Sequence, residues 1–498
     1  METPILTCAN NCLPGANCEN VGKSACGKCR LVVVGSALKS RSRRKPWTLT
    51  HHLVSQYCSP ECQKNDWKAH KTWCKSDLGR QYYRPKWVVE DRTPTFVGQM
   101  TPIYTGFQEL FGDLPAIDLL QLGSNEGMEY PRDLRLLFAA SGDLRNVIKT
   151  IAKLPKSYNQ SVHITMNDSE IDIVARNALL LLIAFTARDP DDTAECMVHI
   201  WYSMAIRSSD LEFLQRRAGV PILRVWYLLR NTPDDTVVGT TFTSGKRHLK
   251  LTLTKRAWYR LLGFLYIPEG LSLEKANDMR THTTLSRDRM DFHERHYIFL
   301  APVHRLANLR FRTEGLLLPF GAPRERFSIP NPTFFQDGFW PLHDMADPLA
   351  GWSAKDVEAT PIGHATSDIY GKLFYHIKYT IKSFLERISN LSLAIRLLNV
   401  DARHLPAHLG PERFDRIDVS NLTDRIYLGI RPTLEVMSPL LQSRSVNPHA
   451  TLLALFANVI VDNMTFEDRV HGVNQQKIAG LARYLVPGGS PGPDTYSP

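Results

Sequence analysis

YCSPECQKNDWKAHKTWC, residues 57–74, is the stretch that decides how the N-terminal part of this chain folds. Cys58 and Cys62 stand four residues apart, as do His70 and Cys74. Side chains at that spacing share one face of a helix, so each pair can hold one edge of a metal tetrahedron. Upstream, Cys26-Gly27-Lys28-Cys29 is a knuckle whose Gly suits a tight turn. Farther upstream, Cys8, Cys12 and Cys18 compete for two remaining places. Trp67 and Trp73 supply apolar cover for a module too small to build a core of its own. Disulfides are the competing explanation for clustered cysteines. A His inside the pattern and the absence of an apolar leader in METPILTCANN favour zinc. A site closed by four protein ligands leaves no position for water or substrate, so this zinc is structural, and binding it is part of folding.

The block resembles the MYND zinc finger family, over residues 8–75. In that family the ligand pairs interleave in a cross-brace. The resemblance implies two zinc ions, one on Cys12, Cys18, Cys58 and Cys62, the other on Cys26, Cys29, His70 and Cys74. Cys18 runs directly into a family-like ENVGKSAC segment, and Cys8 stands as the alternative to Cys12. The resemblance further implies a protein-interaction module, often one for proline-containing peptides. There is one departure. The family passes almost directly from its fourth cysteine to the Tyr-Cys-Ser block, whereas 28 residues separate Cys29 from Cys58 here. The excess, residues 34–56, carries five Lys or Arg and no acid. It reads as a basic patch, as a solvated loop, or as a retained intron. Val34 and Gln56 can be encoded with splice-site triplets, and deleting the segment restores a family-like junction.

Residues 1–80 hold 13 Lys and Arg against 5 Asp and Glu, which is most of the chain's net charge of +10. The basic character therefore belongs to the finger and its insert, and a nucleic-acid partner is not expected. Eight of nine cysteines fall in the first 74 residues; Cys196 is expected to be a buried apolar residue. The pattern fits a reducing compartment, cytosol or nucleus. The longest apolar run, Ala178 to Phe185, is far short of a membrane span. Residues 76–112 mix Trp87, Phe96 and Phe107 with prolines and read as a linker that packs on something; residues 487–498 read as a disordered tail.

Residues 113–470 read as a large α/β body. Leu134 to Ala140 has the continuous apolar character of a buried parallel strand. Asp143 is placed to cap a helix through Leu154, Val162 to Met166 is a second strand, and Asp172 to Ala187 a buried helix. Val237–Thr243 and His248–Thr254 read as a hairpin, 282–310 and 368–399 as long helices, and Phe414 to Ser420 as another strand. The layout is reminiscent of Rossmann and S-adenosylmethionine-binding folds. Gly142 would then form the turn after the first strand, Asp168 would be the ribose-binding acid, and Asp418 and Asn421 would flank the pocket. A full fingerprint has three glycines and this turn has one, so such a site would be degenerate, and helix capping is the plainer role for Asp143 and Asp168.

DLRLLFAASGDLRNVIKTI, FRTEGLLLPFG and RIDVSNLTDRIYLGI resemble the uncharacterised body domain of fungal MYND-finger proteins, whose front part is shared with a dynein axonemal assembly factor family. The resemblance implies a degenerate methyltransferase-like fold and a fungal source. No Gly-x-Ser-x-Gly elbow, phosphate-binding Gly-Lys-Ser/Thr loop or SET-type Asn-His-Ser-Cys segment is present. Lone histidines such as His163, His199 and His376 read as packed or surface residues. The reading is a zinc-dependent adaptor that docks a partner protein. The alternative is an S-adenosylmethionine-dependent methyltransferase targeted by the finger.

Overall fold

Leu134–Phe138 (β1) is buried along nearly its whole length, as a strand with parallel neighbours on both sides must be. The computed structural model describes residues 24–26, 29–31, 33–34, 67, 70–97 and 108–458. Cys8, Cys12, Cys18, Cys58, Cys62, residues 35–56 and the tail 487–498 lie outside the described residues. After β1 come Arg145–Lys153 (α1), Val162–Asn167 (β2) and Ile171–Phe185 (α2). Every residue of α2 except Ile171 is buried, in line with its all-round apolar sequence. Pro190–Tyr202 (α3) follows, with Asp189 capping its first turn through the Asp191 and Asp192 N–H groups. Val237–Ser244 (β3) and Arg247–Thr254 (β4) form the expected hairpin, turned at Gly245 with φ +60°.

Lys255–Gly263 (α4), Leu273–Thr284 (α5), Met290–Phe299 (α6), Pro302–Glu314 (α7) and Ile369–Asn390 (α8) lead to Leu393–Leu398 (β5), Arg416–Asp418 (β6) and Thr451–Leu453 (β7). The strands make one seven-stranded sheet in the order β7-β6-β1-β2-β5-β4-β3, parallel except for the β3–β4 hairpin. Helix α8 packs on α1 and α3.

Three expectations are corrected. The helix expected over 282–310 is broken twice. It ends at Thr284, and Leu300 and Ala301 are extended ahead of Pro302, which has no N–H with which to continue a helix. The helix expected over 368–399 stops at Asn390. LAIRLL then forms β5, because β2 on one side and β4 on the other satisfy its backbone. Asp143 sits one residue before the α1 N-cap, Leu144. Its carboxylate nonetheless accepts the Arg145 N–H at 3.1 Å, and also the Gly112 N–H at 3.1 Å.

Residues 70–97 lie across α6 and α7. The Arg305 guanidinium on α7 donates to the Leu78 and Arg80 carbonyls at 3.4 and 3.0 Å. A Cβ on Gly79 would come within 3.3 Å of Leu306, so only a minimal side chain allows this approach without displacement. Buried Trp87 meets Phe96 edge-on at 5.4 Å. Asp291 on α6 accepts both terminal nitrogens of Arg92, at 2.6 and 2.8 Å.

Candidate functional site

The knuckle is held by a short hairpin: Ser24–Ala25 pairs antiparallel with Val33–Val34 on either side of Cys26 and Cys29. The Arg30 N–H closes the turn onto the Cys26 carbonyl at 2.9 Å, with Arg30 at φ +51°. Across from it, residues 70–74 form helix, which sets His70 and Cys74 on one face. The two elements bring Cys26, Cys29, His70 and Cys74 together, all buried, with their ligand atoms within 4.8 Å of one another. Cys26 Sγ lies 4.0 Å from Cys74 Sγ, and Cys29 Sγ lies 3.6 Å from His70 Nε2. Bond lengths of about 2.3 Å to sulfur and about 2.1 Å to nitrogen give tetrahedron edges of about 3.5–3.8 Å, so the four atoms are spaced for one zinc ion. None of the three cysteines is in a disulfide. This is one of the two quartets the cross-brace implies; the ligands of the other lie outside the described residues.

The cluster is joined to the body. Trp73, between the ligands His70 and Cys74, meets Phe320 edge-on at 5.6 Å. The Arg310 guanidinium on α7 lies over both rings, 5.7 Å from Trp73 and 4.4 Å from Phe320. The Ser367 N–H donates to the Arg30 carbonyl at 3.4 Å. Cys26, Cys29, Leu31 and Cys74 belong to the same apolar cluster as the sheet interior.

The other expected site residues gather at the carboxyl ends of β1, β2 and β6. Gly142, Asp168 and Asn421 line a cavity of about 1010 Å³ there. Asp418 stands behind it, accepting from Asn146 at 3.1 Å and from the Ser420 N–H at 2.9 Å. Asp168 accepts the Gly142 N–H with one oxygen and the Glu170 N–H with the other, both at 3.0 Å. It thereby ties the turn after β1 to the backbone just ahead of α2, whose N-cap is Glu170 without a side-chain cap, so Asp168 is a bonded carboxylate but not the helix cap expected of it. Asn177 completes the clamp by donating to the Gly142 carbonyl at 2.7 Å. Burial pushes the Asp168 carboxyl up to about 6, against the pull of those N–H groups. Asp418 and Glu109 are also raised, in both cases chiefly by burial. Sequence reading missed Glu109, Glu170, Phe339 and Tyr427, which line the same cavity. Glu109 and Phe339 come from irregular segments without a motif of their own.

The lone histidines are packed or surface groups. His199 is buried between Phe327 and Phe374, with ring centroids 4.9 and 5.7 Å away. Cys196 is buried as expected. No helix among the described residues is long and apolar enough to cross a membrane.

Residues 50–74 match the MYND finger, a zinc-binding protein-interaction module. That stretch contains His70 and Cys74 but not Cys26 and Cys29, which the fold brings to them. Residues 110–206, from before β1 to just past α3, match a domain of unknown function, DUF4470. The chain is similar to dynein axonemal assembly factor 3 of Danio rerio, 23% identical over 150 residues, which is 29% of this chain and 31% of that protein. The chain thus spans under a third of the length of this curated relative. No solved structure matches the chain.

Proposed function

We propose that this chain is an adaptor whose zinc-ordered finger docks a segment of a partner protein, with the α/β body as the frame that carries it. The observation that carries this reading is the closed quartet of Cys26, Cys29, His70 and Cys74, joined through Trp73 to α7. Four protein ligands leave zinc no open position, so the ion orders a surface rather than reacting. The finger holds two ions, the second on Cys12, Cys18, Cys58 and Cys62, and it takes a proline-containing peptide. Such a peptide is already extended, so it loses little entropy on docking. The protein works in a reducing compartment, cytosol or nucleus, a reading that cysteines outside any disulfide support.

The test uses the full chain, with and without residues 34–56, and a panel of proline-containing peptides. Metal analysis should return two zinc ions per chain, falling to one in Cys58→Ser. Peptide binding measured by calorimetry should vanish on chelation and return with zinc. Peptide binding that persists in the metal-free protein would sink the docking reading, and a single ion per chain would sink the second site.

A further inference from the structure

The cavity at the carboxyl ends of β1, β2 and β6 lies where an open parallel sheet reverses its strand order. Chain order runs from β1 to β2 on one side, whereas β6 lies against the opposite edge of β1. The crevice outside the strand ends at such a reversal is where α/β sheets take ligands. A volume of about 1010 Å³ has room for a molecule of cofactor size.

The lining narrows what that molecule is. Glu109, Asp168 and Glu170 contribute three carboxyl groups, and among the described residues the lining holds one imidazole, His282, and no Lys or Arg. The usual phosphate seat in such folds, the N-terminus of the helix after the first strand, is already occupied. The Asp143 carboxylate accepts the first N–H of α1 and binds the Arg145 guanidinium at 2.7 Å. The remaining Arg145 contacts are to the carbonyls of Leu114 and Gly351. A phosphorylated ligand would meet three carboxyl groups against the single His282 imidazole, which costs binding. A neutral or cationic ligand with hydroxyl groups meets acceptors instead. Each Asp168 oxygen takes one N–H and keeps a second lone pair for a hydroxyl donor. The aromatic side chains Phe339 and Tyr427 line the cavity too, and both remain about half exposed, at 51% and 54%. They are platforms on which a flat heterocycle can stack.

We propose that this cavity binds a nucleoside that carries no phosphate, its ring against Phe339 and Tyr427, its ribose hydroxyls toward Asp168, and any cationic substituent toward Glu109 and Glu170. S-adenosylmethionine is one such nucleoside, adenosine the uncharged form, and ATP the phosphorylated control. The site does not depend on the finger, so the two readings fail separately.

Calorimetric titration of the zinc-loaded full chain with each of the three tests it. S-adenosylmethionine is expected to bind at least tenfold more tightly than ATP, with adenosine between them. Ala140→Trp, which fills the cavity, should abolish binding. Because that change risks the fold, Tyr427→Ala at the exposed rim is the second variant, expected to weaken binding roughly tenfold through lost stacking. Cys74→Ser should leave nucleoside binding in place. The proposal is overturned if ATP binds as tightly as S-adenosylmethionine, if neither S-adenosylmethionine nor adenosine binds at about 1 mM, or if Tyr427→Ala binds as the parent does.

Discussion

In the finger, four side chains drawn from residues 26–74 converge within 4.8 Å, and the metal they hold stands in for a core. In the body, seven strands and the helices packed on them bury two apolar clusters, the larger extending through Leu397 and reaching the finger at Cys26 and Cys74, the smaller built around Leu137 and Ile417. One region is ordered by a few strong bonds between particular residue types, the other by many weak contacts among interchangeable ones. The finger should therefore fail all at once when one ligand is lost, and the body only by degrees. Apolar burial yields roughly 25 cal/mol per Å² spread over dozens of side chains, whereas a structural zinc site concentrates about 10 kcal/mol or more in four.

The sharpest way to break this comparison is to remove the metal. Chelation, or Cys74→Ser, should unfold the finger while the body keeps its secondary structure. Limited proteolysis should open cleavage within residues 24–75, and far-UV circular dichroism should fall by no more than the finger's small share of the helix. A single cooperative loss of all signal on chelation would mean that the body too is ordered by the ion.

The same contrast explains what could be read from the sequence. Ligand chemistry is specific to residue type and local in spacing, so CxxC and His70-x-x-x-Cys74 announce themselves. Sheet order is set by partners far away in the chain. Local pattern located β1, β2 and the hairpin, because each is bounded by its own turn residues. It missed β5, whose LAIRLL follows the twenty-two residues of α8 without a Gly or Pro to mark the change. Only pairing with β2 and β4 decides for strand there. The crevice was half legible. Asp168 and Asn421 follow strands, where ligand residues are expected, but Glu109 and Phe339 reach the cavity from segments remote in sequence. The contact between finger and body was not legible at all, since nothing local to Trp73 names Arg310 or Phe320 as its partners.

That contact supplies the intermediate test, because it is where the two kinds of order meet. Trp73→Ala should keep zinc, since no ligand is touched, yet destabilise the protein by about 2 kcal/mol. In a double-mutant cycle with Phe320→Ala, the coupling should be about 1 kcal/mol, the size of one edge-on aromatic pair. The measurement is urea unfolding of the four proteins with zinc bound. A coupling near zero would make the finger a tethered appendage and leave the body uninvolved in presenting it.

The smallest effect separates the body's response to acid from the finger's. His376 on α8 is held beside the Trp352 ring at 5.4 Å and pairs with Thr360 Oγ1 at 3.3 Å. Burial lowers it from an ordinary 6.5 to about 4, with Asp356 opposing the shift and Lys149 and Lys153 reinforcing it. Between those values the unfolded chain binds the proton and the folded chain does not, so this group's stabilisation is lost as pH falls through that window, by at most about 1.4 kcal/mol per pH unit. Asp168 acts in the opposite sense. Raised to about 6, it takes its proton earlier in the folded state, so acidification toward 4 favours the fold at that position. Zinc release at low pH adds a third contribution, which is why the parent's curve alone cannot be assigned. His376→Gln keeps a polar side chain beside Thr360 but loses the imidazole's packing on Trp352 together with its titration. Its melting temperature should lie below the parent's at pH 7.5, and the gap should narrow steadily toward pH 4.5 as the parent loses what the variant never had. Asp168 and the metal are common to both proteins and cancel in the difference. A gap that stays constant across that range would mean that His376 is solvated in the folded body and titrates as it does in the unfolded chain.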